Sequence, residues 1–284
     1  MTVFLNGEFV PADQAVVSVF DRSFLYGDGL FETLRVCGGE PFRWRQHLTR
    51  LQQGADFLKI RLPFVPEALR HAATRLIQAN KAPESILRIS LSRGLGVRGY
   101  SIKGAEHSFL VMSLHPLSSP DLNNLPQWRL ITSSFRLPAG DPLACFKTCN
   151  KLPQILARAE AETRGVEEAL LLNTNGEVAE AASSNLFWID GKVICTPPLA
   201  AGILSGITRA VVLEICDRRG VQTQQRNIVR EELHQAEGVF LTLSSLGIVE
   251  VSELDQQPLR QSPLLATLRT NYAALISQEC GKAI

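Results

Sequence analysis

Length, composition and charge limit what this chain can be. Its 284 residues suffice for one large domain or two packed ones, and 45% hydrophobic with 20% charged residues is ordinary for a soluble globular protein. The formal net charge of +1 excludes a bulk attraction to nucleic acid or to an anionic membrane. Because no apolar run approaches a membrane span and the N-terminus lacks a signal-peptide pattern, we expect a cytoplasmic protein that binds neither membranes nor nucleic acid.

The first 115 residues predict a small α+β domain. "TVFLNGEFV" alternates and turns at Asn6-Gly7, which indicates a hairpin, and "LFETLRV" and "PFRW" are further strand candidates. Apolar residues at helical spacing predict helices over 46–59 and 66–80. Two strands, "SILRISLSRG" and "HSFLVMSLHPL", follow. This order lacks the βαβ alternation of a doubly wound sheet.

Residues 116–126, "PLSSPDLNNLP", are rich in Pro, Ser and Asn and predict an interdomain linker before a larger mixed domain at 127–284. We expect helices over about 151–164, over "SGITRAVVLEICDRRG" up to Gly220, over the short "EELHQAEG" and over "PLLATLRTNYAALISQE". The strand candidates of this domain are "WRLITSS", "EEALLLN", "NLFWI", "KVICT" and "GVFLTLSSLGIVEV". The fold class is therefore α/β, with an α+β small domain and a mixed large domain.

The segment "GLGVRG" at 94–99 fits the dinucleotide-binding pattern G-x-G-x-x-G but does not predict a nucleotide site. A Rossmann loop needs a helix to begin at the glycines, and here "YSIKGAEHS" leads into another strand. Two interpretations remain open. The loop is either a mobile segment carrying Arg93, Arg98 and Tyr100 over a pocket, or a plain hairpin loop with solvated arginines.

The cysteines and histidines do not predict a metal site. The six cysteines stand at 37, 145, 149, 195, 216 and 280 and form no C-x-x-C, and the five histidines do not cluster with them. We expect reduced, mostly buried thiols.

Lys147, in "ACFKTCNKL", is the candidate catalytic residue. Its neighbours are small or apolar, and no acidic residue lies within five positions on either side. Desolvation favours the neutral amine, which can form a Schiff base with a carbonyl. Lys151, in the opening turn of the predicted helix, is the rival.

The chain resembles the fold type IV, or class IV, pyridoxal-phosphate enzymes. The matching segments, in order, are "DRSFLYGDGLFETLRV", "HLTRL", "SRGLGVRGYS", "FKTCNKL", "EVAEAASSNLFWIDGKVICTPP", "GILSGITRAVVLEIC" and "EGVFLTLSSLGIVEV". The resemblance covers nearly the whole length. It implies a D-amino acid aminotransferase-like fold, pyridoxal 5'-phosphate as cofactor and a small-molecule substrate.

The resemblance also assigns the cofactor-binding residues. Lys147, with Asn150 and Leu152, matches the family's K-x-x-N-x-L pattern for the cofactor lysine. Glu180 matches the carboxylate that keeps the pyridine nitrogen protonated, with Asn185 orienting this region and Glu177 as the nearby alternative. The phosphate would be held by Ile207 and Thr208 at a helix N-terminus, by Arg50 from the small domain and by Ser244.

The reaction type depends on the substrate-facing residues. "SRGLGVRGYS" is similar to the loop of 4-amino-4-deoxychorismate lyases, whose substrate has two carboxylates, so Arg98 and Tyr100 are expected to bind substrate, with Phe31 and Ser245. The "FET" at 31–33 is shared with aminotransferases, so a branched-chain or D-amino acid aminotransferase remains an alternative, as does a catalytically inert family member. The resemblance further implies a homodimer, with the loop around Arg98 near the partner's active site.

Overall fold

The computed structural model describes residues 1–117 and 127–281. These form two compact units: a first unit of residues 1–117, 146–150 and 276–281, and a second unit of residues 127–145 and 151–275. The segment that carries Lys147 groups with the first unit, although the sequence division assigned it to the block 127–284. From residue 118 to residue 126, the predicted linker lies outside the residues that the structure describes.

The first unit is a six-stranded antiparallel sheet with helices on one face. The strand order is β2-β1-β6-β5-β3-β4. Its strands are β1 (Thr2–Leu5), β2 (Glu8–Pro11), β3 (Gly29–Cys37), β4 (Glu40–Pro41), β5 (Ser85–Ser92) and β6 (Phe109–Pro116). Its helices are α1 (Arg22–Tyr26), α2 (Trp44–Leu58) and α3 (Pro66–Asn80), with a 3-10 turn at Ala12–Gln14.

The side chains of this sheet alternate between a core face and an open face. Leu34 of β3 and Leu87 of β5 are fully buried and pack with Leu51 of α2 and Leu76 of α3. Residues one position along each strand lie on the opposite side. Because α2 and α3 cover the core face, the open face carries the half-buried residues of β3, β5 and β6.

The second unit is built on a nine-stranded mixed sheet. The main strand order is β12-β11-β10-β13-β14-β7-β8-β9, and β15 pairs with β14. Its strands are β7 (Gln127–Leu137), β8 (Glu168–Asn173), β9 (Val178–Ala181), β10 (Asn185–Asp190), β11 (Val193–Thr196), β12 (Thr223–Gln225), β13 (Gly238–Leu243), β14 (Gly247–Leu254) and β15 (Gln257–Pro258). Its helices are α4 (Leu152–Thr163), α5 (Ile207–Arg218) and α6 (Pro263–Glu279), of which the residues from 276 onward belong to the first unit. Short 3-10 helices span Leu199–Ala201 and Arg230–Gln235.

The sequence predicted most of these elements, and the differences have local causes. Of the predicted strand "PFRW", only Pro41 belongs to a strand, as the last residue of β4, because Arg43 has a left-handed backbone with φ of 57° and α2 begins at Trp44. Helix α1 was missed, although Asp21 caps its start by accepting the Ser23 amide at 2.8 Å and Gly27 ends it at φ of 68°. None of the helices in the described residues is both long and apolar enough to cross a membrane.

Candidate active site

The segment carrying Lys147 is fixed along one edge of strand β3. The Phe31 amide donates to the Lys147 carbonyl at 2.9 Å, and the Cys149 amide donates to the Gly29 carbonyl at 2.9 Å. The Asn150 side chain donates to the Gly27 carbonyl at 3.2 Å. These bonds hold the backbone on both sides of Lys147 against the first unit's sheet.

The Lys147 amine lies beside Phe31 and near a second cation that the sequence analysis did not single out. Its Nζ is 4.5 Å from the centre of the Phe31 ring, and the Cζ of Arg88 is 4.0 Å from the same centre. Phe31 of β3 pairs with Ser90 of β5, and Arg88 lies two residues before Ser90 on the same strand. The side chains of Phe31 and Arg88 therefore both lie on the open face. The geometry joins Lys147, Phe31 and Arg88 in one cluster.

Arg88 carries a positive charge on a face without acidic strand residues. Its Nε donates to Ser90 Oγ at 3.2 Å, and Thr33 and Ser113 pair with it on the flanking strands. None of the residues that share this face on β3, β5 and β6 is acidic, and across residues 1–117 and 127–281 no carboxylate forms an ion pair with Arg88. Burial lowers the pKa of Arg88, and the nearby Cys149 has a smaller, opposite effect on that pKa. The guanidinium nevertheless stays protonated at neutral pH. Such a group favours an anionic ligand.

On the core face of β3, the Glu32 carboxylate contacts two side chains of α2, those of Arg50 and His47. Its carboxylate accepts from Arg50 Nε at 2.8 Å and Nη2 at 2.6 Å and lies 2.7 Å from His47 Nδ1. Burial would raise the pKa of Glu32, but the charge and hydrogen bonds of Arg50, with those of His47, outweigh burial and lower the pKa to about 2. Arg50 is thus oriented by Glu32 through two of its nitrogens.

His47 is held neutral by the same arrangement. Burial lowers its pKa, and the charges of Arg50 and Lys147 lower it further against the opposing effect of Glu32. A neutral ring facing a carboxylate carries its proton on Nδ1, which therefore donates to Glu32. Lys147 is close enough to His47 for their charges to interact.

In the second unit, the Glu180 carboxylate is buried and anchored. One oxygen accepts from the Leu204 amide at 2.9 Å and from Asn185 Nδ2 at 3.1 Å, and Asn185 Nδ2 also donates to the Leu204 carbonyl at 2.9 Å. Two donors to one oxygen favour a carboxylate over a carboxylic acid. The structure therefore brings together two predicted residues, Glu180 and Asn185, and shows that Asn185 orients Glu180.

The start of α5 fits a phosphate group. Gly206 stands at the N-cap, and no side chain among the residues described caps the helix. A Cβ at Gly206 would lie 1.9 Å from Asn185 Oδ1, so only glycine leaves Asn185 in place. Helix N-terminal N–H groups, here from Ile207 and Thr208 onward, bind anions.

Two buried hydroxyls near this helix start also suit a polar ligand. In the described part of the chain, Ser184 Oγ and Thr242 Oγ1 make no hydrogen bond, and Thr242 pairs with Asn185 across β10 and β13. Buried hydroxyls without a partner are costly, and a ligand with acceptor oxygens would satisfy them. The donors of this unit thus fit a phosphorylated cofactor.

The rival residues have other surroundings. Glu177 accepts from Asn173 at 3.0 Å and from Asn227 at 2.7 Å, so its carboxylate binds two amides beside the β8–β9 turn. Lys151 stands at the N-cap position of α4, in the second unit. Ser244 and Ser245 lie half-buried in the turn between β13 and β14.

The loop between β5 and β6 separates the arginines that the sequence grouped together. Arg93 is not carried over a pocket, because it is buried and its Nε and Nη2 donate to Asp28 at 2.7 and 2.9 Å. Arg98 is exposed, and Tyr100 is 89% exposed with its ring 5.7 Å from that of Tyr26. Neither Arg98 nor Tyr100 joins the Lys147 cluster, and their substrate role stays a prediction.

Four of the residues described above were not predicted from the sequence, and three of them left a signal there. Glu32 falls on the apolar face of "LFETLRV", which marks a buried carboxylate in need of a partner. His47 and Gly206 left weaker signals: His47 stands three residues before Arg50 on one helix and so shares its face, and Gly206 directly precedes a helix. Arg88 left no signal, because its significance comes from pairing β3 with β5.

Comparison with known proteins gives one consistent family. The amino-transferase class IV family model matches residues 29–254. A putative branched-chain-amino-acid aminotransferase of Methanocaldococcus jannaschii is 33% identical over 256 residues, 90% of this chain and 88% of that protein. An aminodeoxychorismate lyase of Vibrio harveyi is 32% identical over 242 residues, 84% of this chain and 88% of that protein.

A solved structure extends the similarity to the fold. The branched-chain aminotransferase of the archaeon Thermoproteus uzoniensis, determined with norvaline, superposes with a TM-score of 0.91 at 28% identity, covering 98% of this chain and 96% of that one. The α/β class and the fold type IV architecture predicted from the sequence are confirmed.

Proposed function

Because this chain belongs to the amino-transferase class IV family, whose enzymes depend on pyridoxal 5'-phosphate, we propose that it is a lyase that converts 4-amino-4-deoxychorismate to 4-aminobenzoate and pyruvate. Membership in the family makes it a pyridoxal-phosphate enzyme, of lyase or aminotransferase type. The choice of the lyase reaction, and each residue role below, belongs to the proposal.

The residues that the sequence resemblance assigns would hold the cofactor. Lys147 would bind it covalently, and Arg50, oriented by Glu32, would contribute positive charge for the phosphate. From the second unit would come Glu180, opposite the ring nitrogen, and the phosphate donors: the start of α5 at Ile207 and Thr208, together with Ser244. The buried hydroxyls and uncapped helix described above support this set.

The bound cofactor supplies an electron sink for negative charge at the amine-bearing carbon. As a free neutral amine, Lys147 Nζ would take the proton from that carbon as general base. In the lyase reaction the carbon–oxygen bond to the enolpyruvyl group then breaks, the ring becomes aromatic and pyruvate leaves. Glu180, as an anchored carboxylate, would hold the proton on the cofactor's ring nitrogen, while Asn185 keeps that carboxylate in place.

The observation that supports an amine substrate with a carboxylate is the cation beside the Lys147 amine. Arg88 and Lys147 lie against the same Phe31 ring, and the open face around Arg88 has no acidic strand residue. A guanidinium there suits a substrate carboxylate. The lyase substrate has a second carboxylate, which Arg98, Tyr100 and the backbone near Ser245 would bind.

A second candidate is an aminotransferase that uses Arg88 for the single carboxylate of an amino acid. The similarity to the M. jannaschii aminotransferase supports it. The two candidates differ in the fate of the proton that Lys147 removes: an aminotransferase delivers it to the cofactor and releases a keto acid.

We also propose that the enzyme is a homodimer. Exposed apolar side chains gather on the first unit around two hydrogen-bonded segments, 16–25 and 95–102. Phe20 is 68% exposed, Phe24 72% and Val97 61%, and Arg22 Nη1 donates to the Gly99 carbonyl at 2.9 Å. Exposed apolar surface of this kind is typical of an interface. In a dimer, Arg98 would be available to the partner's site.

Incubation of purified, cofactor-loaded protein with 4-amino-4-deoxychorismate tests the function. We expect 4-aminobenzoate and pyruvate in equal amounts, faster than keto acid from leucine or D-alanine, and no product from Lys147→Ala. Faster transamination than 4-aminobenzoate release would replace the lyase with the second candidate. No turnover in either assay, with cofactor bound, would indicate an inert family member.

A further inference from the structure

Two cysteines from opposite ends of the sequence meet in the first unit. Cys37 is the last residue of β3, and Cys280 follows the end of α6. Cys37 pairs with Glu40 across β3 and β4, and Cys280 Sγ donates to the Glu40 carbonyl at 3.7 Å. The two thiols are also close enough for each to shift the pKa of the other. Cys280 therefore lies directly over the turn that joins β3 to β4.

The surroundings of the pair favour a thiolate at Cys37. The neighbouring Cys280 thiol has the largest effect on Cys37. Together with the charge and hydrogen bond of Arg35, whose Nε lies 3.1 Å from Cys37 Sγ, it lowers the pKa of Cys37 to about 6, although burial and the charge of Glu84 act in the opposite direction. The neighbouring Cys37 raises the pKa of Cys280, and burial adds to that rise. At neutral pH the pair is a nucleophilic thiolate beside a thiol.

This pair differs from three of the other four cysteines and lies away from Lys147. Burial raises the pKa of Cys145, Cys195 and Cys216, which makes those thiols poor nucleophiles. Lys147 is bonded to β3 at Phe31, and the six residues from there to Cys37 span roughly 20 Å of extended strand. Both thiols are buried, at 2% and 5% exposure, but their neighbours Gly38, Glu40 and Gly281 are exposed. The pair is thus a shallow site at the end of the sheet.

We propose that Cys37 and Cys280 are a redox-active dithiol that peroxides convert to an intramolecular disulfide. The Cys37 thiolate attacks one oxygen of hydrogen peroxide, the O–O bond breaks, and the departing hydroxide takes a proton to become water. Cys280 then attacks the oxidised Cys37 sulfur, the S–O bond breaks, and the second oxygen leaves as water with the Cys280 proton. The two thiols together lose two protons and two electrons, and one peroxide becomes two waters.

The disulfide would fasten the end of α6 to the β3–β4 turn. That end is already held by the ion pair of Arg43 and Glu279 at 2.9 Å. Since the bridge would join residue 37 to residue 280, it would close a loop of nearly the whole chain, and long loops restrict the unfolded state most. Oxidation is therefore expected to raise the melting temperature.

The test is peptide mass mapping of the full-length protein, with and without a small excess of hydrogen peroxide, under non-reducing conditions. We expect a linked Cys37–Cys280 peptide pair that has lost two hydrogens, that a phosphine reductant restores, and that accompanies a rise in melting temperature. Cys280→Ser should lose the linkage, and Cys216→Ser, the matched control, should keep it.

A second measurement follows iodoacetamide alkylation of Cys37 against pH. The wild-type rate should rise with a midpoint near pH 6, and in Cys280→Ser that midpoint should move upward because the thiol with the largest effect on the pKa of Cys37 is lost. Peroxide treatment that oxidises other cysteines and leaves 37 and 280 unlinked would overturn the proposal. If Cys280→Ser does not fold, the wild-type map and alkylation profile decide alone.

Discussion

Replacing Glu32 by glutamine removes the only negative charge that the Glu32–His47–Arg50 group contains. Glu32 is 1% exposed, and Arg50, 6% exposed, donates two hydrogen bonds to it. Glutamine keeps the shape but leaves the guanidinium without its counter-charge in a buried place. Removing one partner of a buried ion pair costs roughly 3–5 kcal/mol.

The lowered pKa of Glu32 gives an independent magnitude. Its pKa falls from 4.5 to about 2 in the folded protein. At about 1.4 kcal/mol per unit, this corresponds to about 3 kcal/mol of folding stability. Because the folded pKa is the lower one, the contribution is fully present above pH 4.5 and is lost as the pH falls through about 2. Stability of the wild type should therefore decline across this window more steeply than that of Glu32→Gln.

The assay is urea unfolding of both proteins at pH 7 and at several values between 5 and 3, with the cofactor removed so that binding does not contribute. Glu106→Gln is the matched control, because Glu106 is exposed and makes no ion pair within the described residues. We expect a loss of about 3 kcal/mol for Glu32→Gln at pH 7, shrinking toward acid, and less than about 0.5 kcal/mol for the control. Equal stability of Glu32→Gln and wild type at pH 7 would refute the role of the buried carboxylate.

Three further substitutions test the site. Glu180→Gln should still bind the cofactor, as measured by its absorbance, and its turnover should fall about 10–100-fold because a charge-assisted hydrogen bond to the cofactor is weakened. Unchanged turnover would contradict the role of Glu180 opposite the ring nitrogen. Gly206→Ala should displace Asn185, whose Oδ1 would lie 1.9 Å from the new Cβ, and weaken cofactor binding in a fluorescence titration; wild-type affinity would show that α5 is not the phosphate site. Arg88→Leu should weaken inhibition by 4-methylpentanoate about 10–100-fold with cofactor content unchanged. The control Arg75→Leu should match wild type, because Arg75 lies on the far side of the sheet against Phe9. Equal inhibition of both variants would exclude Arg88 from carboxylate binding.

Local patterns in the sequence were sufficient for the parts of the fold and site that depend on neighbouring residues. The hairpin at Asn6-Gly7 and the helix Pro66–Asn80 follow from turn chemistry and apolar spacing, and both are confirmed. The anchoring of Glu180 by Asn185 was also within reach, because the two residues are five positions apart on consecutive strands.

Features that depend on the pairing of distant strands were not predictable from one sequence. Arg88 faces Phe31 because β5 pairs with β3 in one particular register, and a slip of one residue would turn Arg88 to the core face. Cys280 reaches Cys37 across nearly the full length of the chain. Arg93 was grouped with Arg98 on the basis of proximity in sequence, although Asp28 binds Arg93 within the fold.

The central claim is that Lys147 carries the cofactor in a site that uses Phe31 and Arg88 for the substrate. Borohydride reduction of the cofactor-loaded protein, followed by peptide mass mapping, tests it most directly. We expect a single phosphopyridoxyl-modified peptide with the modification on Lys147, present in wild type and in Lys151→Ala and absent in Lys147→Ala. A modification on Lys151, or an equal yield of modified protein from Lys147→Ala, would contradict it.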